Sequence, residues 1–463
     1  MAHRSLSGAR HHAVVIGGGV AGLLAARVLA DHFESVTLIE RDGISTEPKP
    51  RKGIPQGHHV HGLLAKGLEI LSQLFPDLVP ALLAGGAATG DMGRDLHWHH
   101  FGVWKVRFDS GIHGMLLTRP YLEWHIAERV RVRPNVHILK AAVDGLAFDT
   151  DRKRVTGVRI RSHASGSSVV VADLTVDASG RGSHAPEWLE ALGFDKPAVS
   201  TVKVDVMDAS RLYRPGPGRR DWRALLISPR APDKKTGAIF TVEGNRWLVT
   251  LGGLHGVHPP TDEAGYLEFA RSLPVPDLYW AIAAAEPLTP IATYKFHTNI
   301  CRHYDRVKPF PERFLIMGDA FCSFNPIYGQ GMTVSAREAV ALDDALRRRG
   351  AGEAALNGLS ALFHRKIAQI VSSAWRPTTV EDFRYHEAGP RPPAMAPLQW
   401  YTARIHERCG SDSTLALAFY RVMHMIDPPA ALFRPSITAR VLRKLPTPLN
   451  HISIHDVGTG VHP

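Results

Sequence analysis

Residues 13–41 read Ala-Val-Val-Ile-Gly-Gly-Gly-Val-Ala-Gly-Leu-Leu-Ala-Ala-Arg-Val-Leu-Ala-Asp-His-Phe-Glu-Ser-Val-Thr-Leu-Ile-Glu-Arg. The pattern is strand, glycine turn, helix, second strand. Ala13 to Ile16 form a short unbroken apolar run, as a strand buried on both faces requires. Gly17, Gly19 and Gly22 then supply Gly-x-Gly-x-x-Gly spacing. Gly17 allows a tight turn, Gly19 lets backbone approach a pyrophosphate, and Gly22 lets the helix pack closely on the strand. The helix runs from Val20 to about Ala30, and the backbone of its first residues, Val20 and Ala21, faces the phosphates. Val36 to Ile39 is a second apolar strand, ending in Glu40, which is placed for a ribose hydroxyl. That carboxylate favours adenosine with a free 2′-hydroxyl, as in FAD or NAD, over NADP; the neighbouring Arg41 argues the other way.

Working outward, 463 residues suffice for two or three domains, and 44% hydrophobic with 21% charged residues is ordinary globular composition. Fifty-five Lys and Arg against 44 Asp and Glu give a net charge of +11. The cations are scattered, and the densest run, Arg347–Arg349 before Gly350, suits a helix C-terminus. This argues against nucleic acid and for attraction of anionic cofactors. Cys301, Cys322 and Cys409 are far apart and lack metal-ligand spacing, which points to a reducing compartment. Met1 to His12 is polar and basic, unlike a secretory signal. With no run near the ~20 apolar residues that span a bilayer, a cytoplasmic protein is expected.

Arg51-Lys-Gly-Ile-Pro-Gln-Gly-His-His-Val-His61 is a basic loop leading into a helix of about Leu63 to Leu74, and Arg51 is suited to clamp phosphate. His58, His59 and His61 have no carboxylate or cysteine at ligand spacing, so no metal is expected. Leu96 to Phe108 is aromatic and strand-like, with His97, His99 and Phe101 on one face and Trp98 and His100 on the other. Arg119-Pro-Tyr opens a helix. Val136 to Leu139, Val155 to Ile160 and Val169 to Val176 suit a small antiparallel meander, and Asp177-Ala-Ser-Gly-Arg-Gly182 is a second glycine turn. From Thr201 the pattern alternates, with a hairpin of Ala238–Val242 and Arg246–Leu251 about Gly244-Asn245. Further on, Leu359, Leu362, Phe363, Ile367, Ile370 and Ala374 have helical spacing, and another helix is expected around Thr414 to Ile426.

The most specific stretch is strand Arg313–Met317, then Gly318-Asp-Ala-Phe-Cys-Ser-Phe-Asn-Pro-Ile-Tyr-Gly-Gln-Gly-Met332, then a helix to about Arg349. Asp319 can bond the hydroxyls of a ribityl chain, and Gly329 and Gly331 let backbone lie against a flat ring. The positive end of the helix would stabilise the anion of a reduced flavin.

These three motifs, in this order, resemble the FAD-dependent monooxygenases of the p-hydroxybenzoate hydroxylase and squalene epoxidase type. The Arg51–Gln56 loop with His59 and His61, together with Asn325-Pro-Ile-Tyr-Gly329, looks closest to the bacterial polyene epoxidases of polyether antibiotic biosynthesis. The likeness covers residues 12–345 and departs at Gln330, where it implies a histidine. It implies that Gly17, Gly19, Gly22, Glu40 and Arg119 contact the adenosine-pyrophosphate half of FAD. It places Asp319 at the ribityl phosphate region and Pro326 to Met332, with Gly329, Gln330 and Gly331, at the isoalloxazine; Arg51 is carried over with them.

The expectation is an α/β fold. A Rossmann-type, glutathione-reductase-like FAD domain occupies 1–195 and returns at 295–350, with strand 96–108 joining an inserted, mainly antiparallel substrate sheet of 196–294. A helical region, 351–463, acts as lid or dimer surface in a monomer or homodimer, and its basic, apolar tail near Leu445 is suited to peripheral membrane contact. The activity implied by the resemblance is epoxidation or hydroxylation of a small apolar molecule in secondary metabolism, through a flavin C4a-hydroperoxide. O2 is co-substrate, and NAD(P)H or a flavin reductase supplies electrons. No catalytic acid or base is assigned; His99 and Trp247 are candidate pocket residues. A double-bond reductase or a flavin-binding protein without turnover remain alternatives, as does a halogenase, although Trp-x-Trp-x-Ile-Pro is absent.

Overall fold

In the computed structural model, which describes residues 10–162, 166–218, 220–350 and 352–443, the strand His12–Ile16 sits at the centre of a five-stranded parallel sheet. The order is Phe314–Ile316, Leu174–Asp177, His12–Ile16, Ser35–Glu40, Val136–Lys140. Central strands of such a sheet are covered on both faces, which is why their residues run apolar without alternation. Helix Val20–Leu29 follows the glycine turn and packs against helices Gly331–Arg348 and Arg119–Arg131. The mixed α/β architecture and its Rossmann-type nucleotide-binding unit are as expected.

The glycines act as their spacing requires. Gly17 has φ +98°, and a Cβ there would lie 2.5 Å from the Ala178 carbonyl oxygen. A Cβ on Gly22 would lie 1.8 Å from the Gly17 carbonyl oxygen, so the helix is seated with backbone against backbone.

One local expectation is corrected. Of the proposed meander, Val136–Lys140 and Leu174–Asp177 belong to the parallel sheet. The antiparallel unit is instead Ala142–Phe148, Val155–Ser162 and Gly166–Val171. Apolar runs four or five residues long carry no signal that separates parallel from antiparallel pairing. The helical spacing of Leu359 to Ala374 belongs to a helix that runs from Leu359 to Asp382, through Pro377.

A nine-stranded sheet follows the order Cys322–Ser323, Ala292–Arg302, Val199–Arg214, Arg246–Gly253, Lys235–Val242, Ala224–Ile227, Leu96–His100, Val103–Trp104, with Glu286–Pro287 beside Val199–Arg214. Leu96–His100 joins it in parallel to Ala224–Ile227, and Ala292–Arg302 runs across position 294 into the return segment. Cys301 and Cys322, far apart in sequence, are direct cross-strand neighbours. One sheet face carries Trp247, Val249 and Leu251 against helices Glu263–Arg271 and Asp277–Ala283. The other face looks towards the C-terminal helices Met395–Arg408, Ser413–Met423 and Pro435–Leu442. The basic tail near Leu445 lies outside the described residues. No single described helix is long and apolar enough to cross a membrane.

The Gly22 contact sets a stability prediction for the ligand-free protein. Gly22→Ala must push helix from strand and should cost about 1–3 kcal/mol or more in urea denaturation. Gly19→Ala, whose methyl meets no atom within 4 Å, should cost less than about 1 kcal/mol, the scale of an N-cap change. An unchanged Gly22→Ala midpoint would refute the packing account.

Candidate active site

The turn after the first strand is closed by the second. Gly17 donates to the Ile39 carbonyl at 2.8 Å, and Gly18 donates its N–H to Glu40 Oε2 at 2.6 Å. Arg51 donates to the Gly18 carbonyl at 2.7 Å and to Glu123 Oε2 at 3.1 Å. Arg119 donates to Glu123 Oε1 at 2.7 Å. Glu123 therefore forks between the two arginines one helical turn after Arg119, buried and satisfied on both oxygens. Its only sequence signal is the i,i+4 spacing. Arg41 turns away, paired with Asp42 at the surface.

Asp319 lies one residue beyond Gly318, whose φ of +65° brings the turn against Ala21 of the first helix. Burial pushes its carboxyl up, and Arg119, Arg181 and Arg302 oppose that shift. Arg302 holds the Ala320 and Arg181 carbonyls at 3.0 Å each, and Arg181 donates to Ser323 Oγ at 2.9 Å. No described group donates to the Asp319 side chain, so its oxygens are available to a ligand's hydroxyls. Glu338 accepts the Gly318 N–H at 2.6 Å, and burial raises its carboxyl to about 8.

The turn Pro326–Tyr328 is capped by Asn325 Oδ1, which accepts from Ile327 N at 3.2 Å. Gly329 adopts φ +63°, and the helix starts at Gly331 with Gln330 as its N-cap and Met332 buried. Sequence reasoning missed what holds this turn. Asp382 Oδ1 accepts from Asn325 Nδ2 at 2.9 Å and from Tyr328 OH at 3.0 Å, and Oδ2 accepts from Asn299 Nδ2 at 2.6 Å. Burial pushes Asp382 up to about 7 against the pull of these donors. Thr378 Oγ1 donates to the Gln330 side chain at 3.2 Å. No local pattern links residues 325 and 382; only the fold does.

A dinucleotide with a flat ring fits these residues. A methyl built at Gly19, Gly180, Gly182 or Gly331 meets no atom within 4 Å, leaving open space at the starts of both helices beside Glu40, Arg51, Arg119 and Asp319. From the Pro326–Gln330 turn a cavity of about 930 Å³ extends between the nine-stranded sheet and the C-terminal helices as far as Phe419 and Phe433. His99 and Trp247, the candidate pocket residues, lie on the sheet face away from it. His99 packs edge-on against Trp104, and Trp247 against Trp222. Strand alternation instead places Trp98 and His100 on the cavity wall. His59 is buried and His61 half-buried at its near end, and desolvation holds both neutral, at about 3. Among the described residues no three acidic, His or Cys side chains converge as a metal site.

The sequence profile of the FAD binding domain family matches residues 10–374, and the chain belongs to that family, FAD-dependent monooxygenases of the p-hydroxybenzoate hydroxylase type. Protein Rv3254 of Mycobacterium tuberculosis is 31% identical over 435 residues, 90% of either chain. Kynurenine 3-monooxygenase of Salinispora arenicola is 28% identical over 365 residues, 73% of this chain and 72% of the relative. Among solved structures, p-nitrophenol 4-monooxygenase from Pseudomonas putida aligns with a TM-score of 0.61 at 18% identity, covering 90% of this chain and 99% of its own. The flavin-dependent brominase Bmp2 aligns at 0.63 and 14%, covering 89% and 93%. At such identities these two likenesses are of fold.

Two predictions follow from the geometry. Gly19→Val should leave the denaturation midpoint of the ligand-free protein within about 1 kcal/mol yet weaken FAD at least tenfold, read by titrating the apoprotein; FAD binding at wild-type strength would move the pyrophosphate elsewhere. Asp382→Ala orphans three donors and should cost at least about 2 kcal/mol of stability, together with a change in the bound flavin's absorption. A spectrum identical to wild type would separate Asp382 from the ring-facing turn.

Proposed function

We propose that the protein transfers one oxygen atom from O2 to a small, mainly apolar organic molecule, by hydroxylation or epoxidation. The observation that carries this reading is the cavity that opens at the Pro326–Gln330 turn. At about 930 Å³ it lies near the top of the ~300–1,000 Å³ range of ligand pockets, which suits a substrate larger than a single ring. When bound, FAD supplies the activation of O2 and the redox chemistry.

The chain's own residues bind, orient and exclude water. Gly19 and the start of helix Val20–Leu29 receive the pyrophosphate, with Glu40 at the ribose and Arg51 and Arg119 nearby. Asp319 anchors the ribityl chain. Pro326 to Met332 present backbone to the ring, and the N-terminus of helix Gly331–Arg348 offers positive potential to charge that develops there. Leu226, Phe240, Met115 and Ile327 make the adjoining wall apolar, which disfavours water beside the reacting centre.

Electrons are assigned to NAD(P)H directly or to a partner flavin reductase. The brominase likeness keeps halogenation as the competing outcome.

Reduced, FAD-loaded protein mixed with substrate under ¹⁸O2 should give a product carrying one heavy oxygen by mass spectrometry. Label drawn from H2¹⁸O, or a product that is halogenated or merely reduced, would overturn oxygen insertion and leave the flavoprotein fold intact.

A further inference from the structure

Asp208 is a buried carboxylate with no partner, standing in the wall of the cavity. It lies on strand Val199–Arg214, is only 7% exposed, and receives no hydrogen bond from any described group. Its cross-strand neighbours are Gly252 on one side and Tyr294 on the other. A Cβ on Gly252 would lie 2.8 Å from Asp208 Oδ1, so the glycine provides the niche in which the carboxylate rests.

The polar groups around it are committed elsewhere or also face the chamber. Ser210, two residues on and on the same face, bonds His59 Nδ1 at 2.7 Å and Thr250 Oγ1 at 2.6 Å. Thr250 Oγ1 also accepts the Val60 N–H at 2.9 Å. His59 Nε2 is buried without a partner, and the His59 ring lies 5.9 Å from that of Tyr294. Phe240, Ala238 and Leu254 make the rest of this end apolar. An ionised carboxylate without a donor in such surroundings carries an uncompensated desolvation cost, which a ligand that supplies the donor relieves.

We propose that Asp208 is the specificity-determining anchor of the substrate, and that the substrate is an apolar molecule bearing one hydrogen-bond donor, a hydroxyl or an ammonium, which the carboxylate receives. This rests on the cavity being the substrate chamber. It narrows the substrate from a plain hydrocarbon to one with a polar handle, and the handle fixes which carbon is presented to the Pro326–Gln330 turn. The anchor makes and breaks no covalent bond.

Burial raises the Asp208 carboxyl to about 7. Tyr294, on strand Ala292–Arg302, is the titratable group that interacts with it, and His59 and His61 from the 55–61 segment and Tyr385 beyond helix Leu359–Asp382 line the same cavity. The histidines are held at about 3 and the tyrosines are pushed up, so none of them changes charge near neutral pH. The carboxylate is ionised above about 7 and accepts most strongly there.

The test uses FAD-loaded protein and three probes of one shape: 4-phenylbenzyl alcohol, 4-phenylbenzylamine and the alcohol's methyl ether. Affinities are measured by titration calorimetry. Wild type should bind the alcohol or the amine at least about tenfold more tightly than the ether, which of the two identifying the donor, and the preference should shrink as pH falls below about 7. Asp208→Leu should reduce it to about twofold or less with ether affinity kept. Asp208→Asn, which retains an acceptor but no charge, should lose any amine preference and the pH dependence. Equal affinities in wild type, binding of none of the probes, or a preference that survives Asp208→Leu would overturn the proposal. The readout needs no turnover, so a failure of oxygen insertion with the preference intact would sink only the earlier reading.

Discussion

The Gly17 carbonyl oxygen occupies the place where a Cβ on residue 22 would stand, and a Cβ on Gly318 would lie 2.7 Å from that of Ala21. Helix Val20–Leu29 is thereby pressed onto the central strand, and the Gly318 turn onto the start of that helix. The consequence reaches beyond packing. Two helices that begin more than 300 residues apart in the chain, at Val20 and Gly331, are held in contact with open space at both their N-termini. Each end presents unpaired N–H groups and positive potential. An extended, anionic, flat-ringed ligand is what such a pair of ends can hold.

That arrangement concentrates charge where little water reaches. Glu123 is fixed between Arg51 and Arg119, and Asp319 has Arg119, Arg181 and Arg302 around it, the first occupied by Glu123 and the other two by backbone carbonyls. Burying an ion without partners costs several kcal/mol. Here each arginine has a carboxylate or carbonyl partner, and the site as a whole retains excess positive charge for phosphates. The chain's net charge of +11 therefore has a local counterpart in the fold.

The chamber beyond the ring is built by elements that are strangers in sequence. One wall is the face of the nine-stranded sheet, and the other is the C-terminal helices, joined by helix Leu359–Asp382. Asp382 ends that helix and holds the ring-facing turn through Asn325 and Tyr328, while Asn299 ties the same carboxylate to the sheet. The Pro326–Tyr328 turn, the nine-stranded sheet and the C-terminal end of helix Leu359–Asp382 thus meet at one buried side chain.

Much of the nucleotide-binding fold was legible in the sequence because its constraints are local. Glycine spacing, apolar strand runs and the Asp319 turn concern residues within a few positions of one another, and the backbone geometry they impose does not depend on distant partners. The pocket was not legible in the same way. His99 and Trp247 are as aromatic and strand-bound as Trp98 and Phe240, and only the sheet's orientation between two helical layers decides which face meets the cavity. Asp208, Glu123 and Asp382 resemble other acidic residues until tertiary contacts fix their burial and partners. Cys301 and Cys322 likewise become neighbours only through strand pairing. The sequence alone determined the nucleotide-binding fold and the glycine turns that shape it, whose physics is short-range. The cavity was decided by tertiary structure, because burial, sheet facing and the pairing of charges are properties of the packed chain.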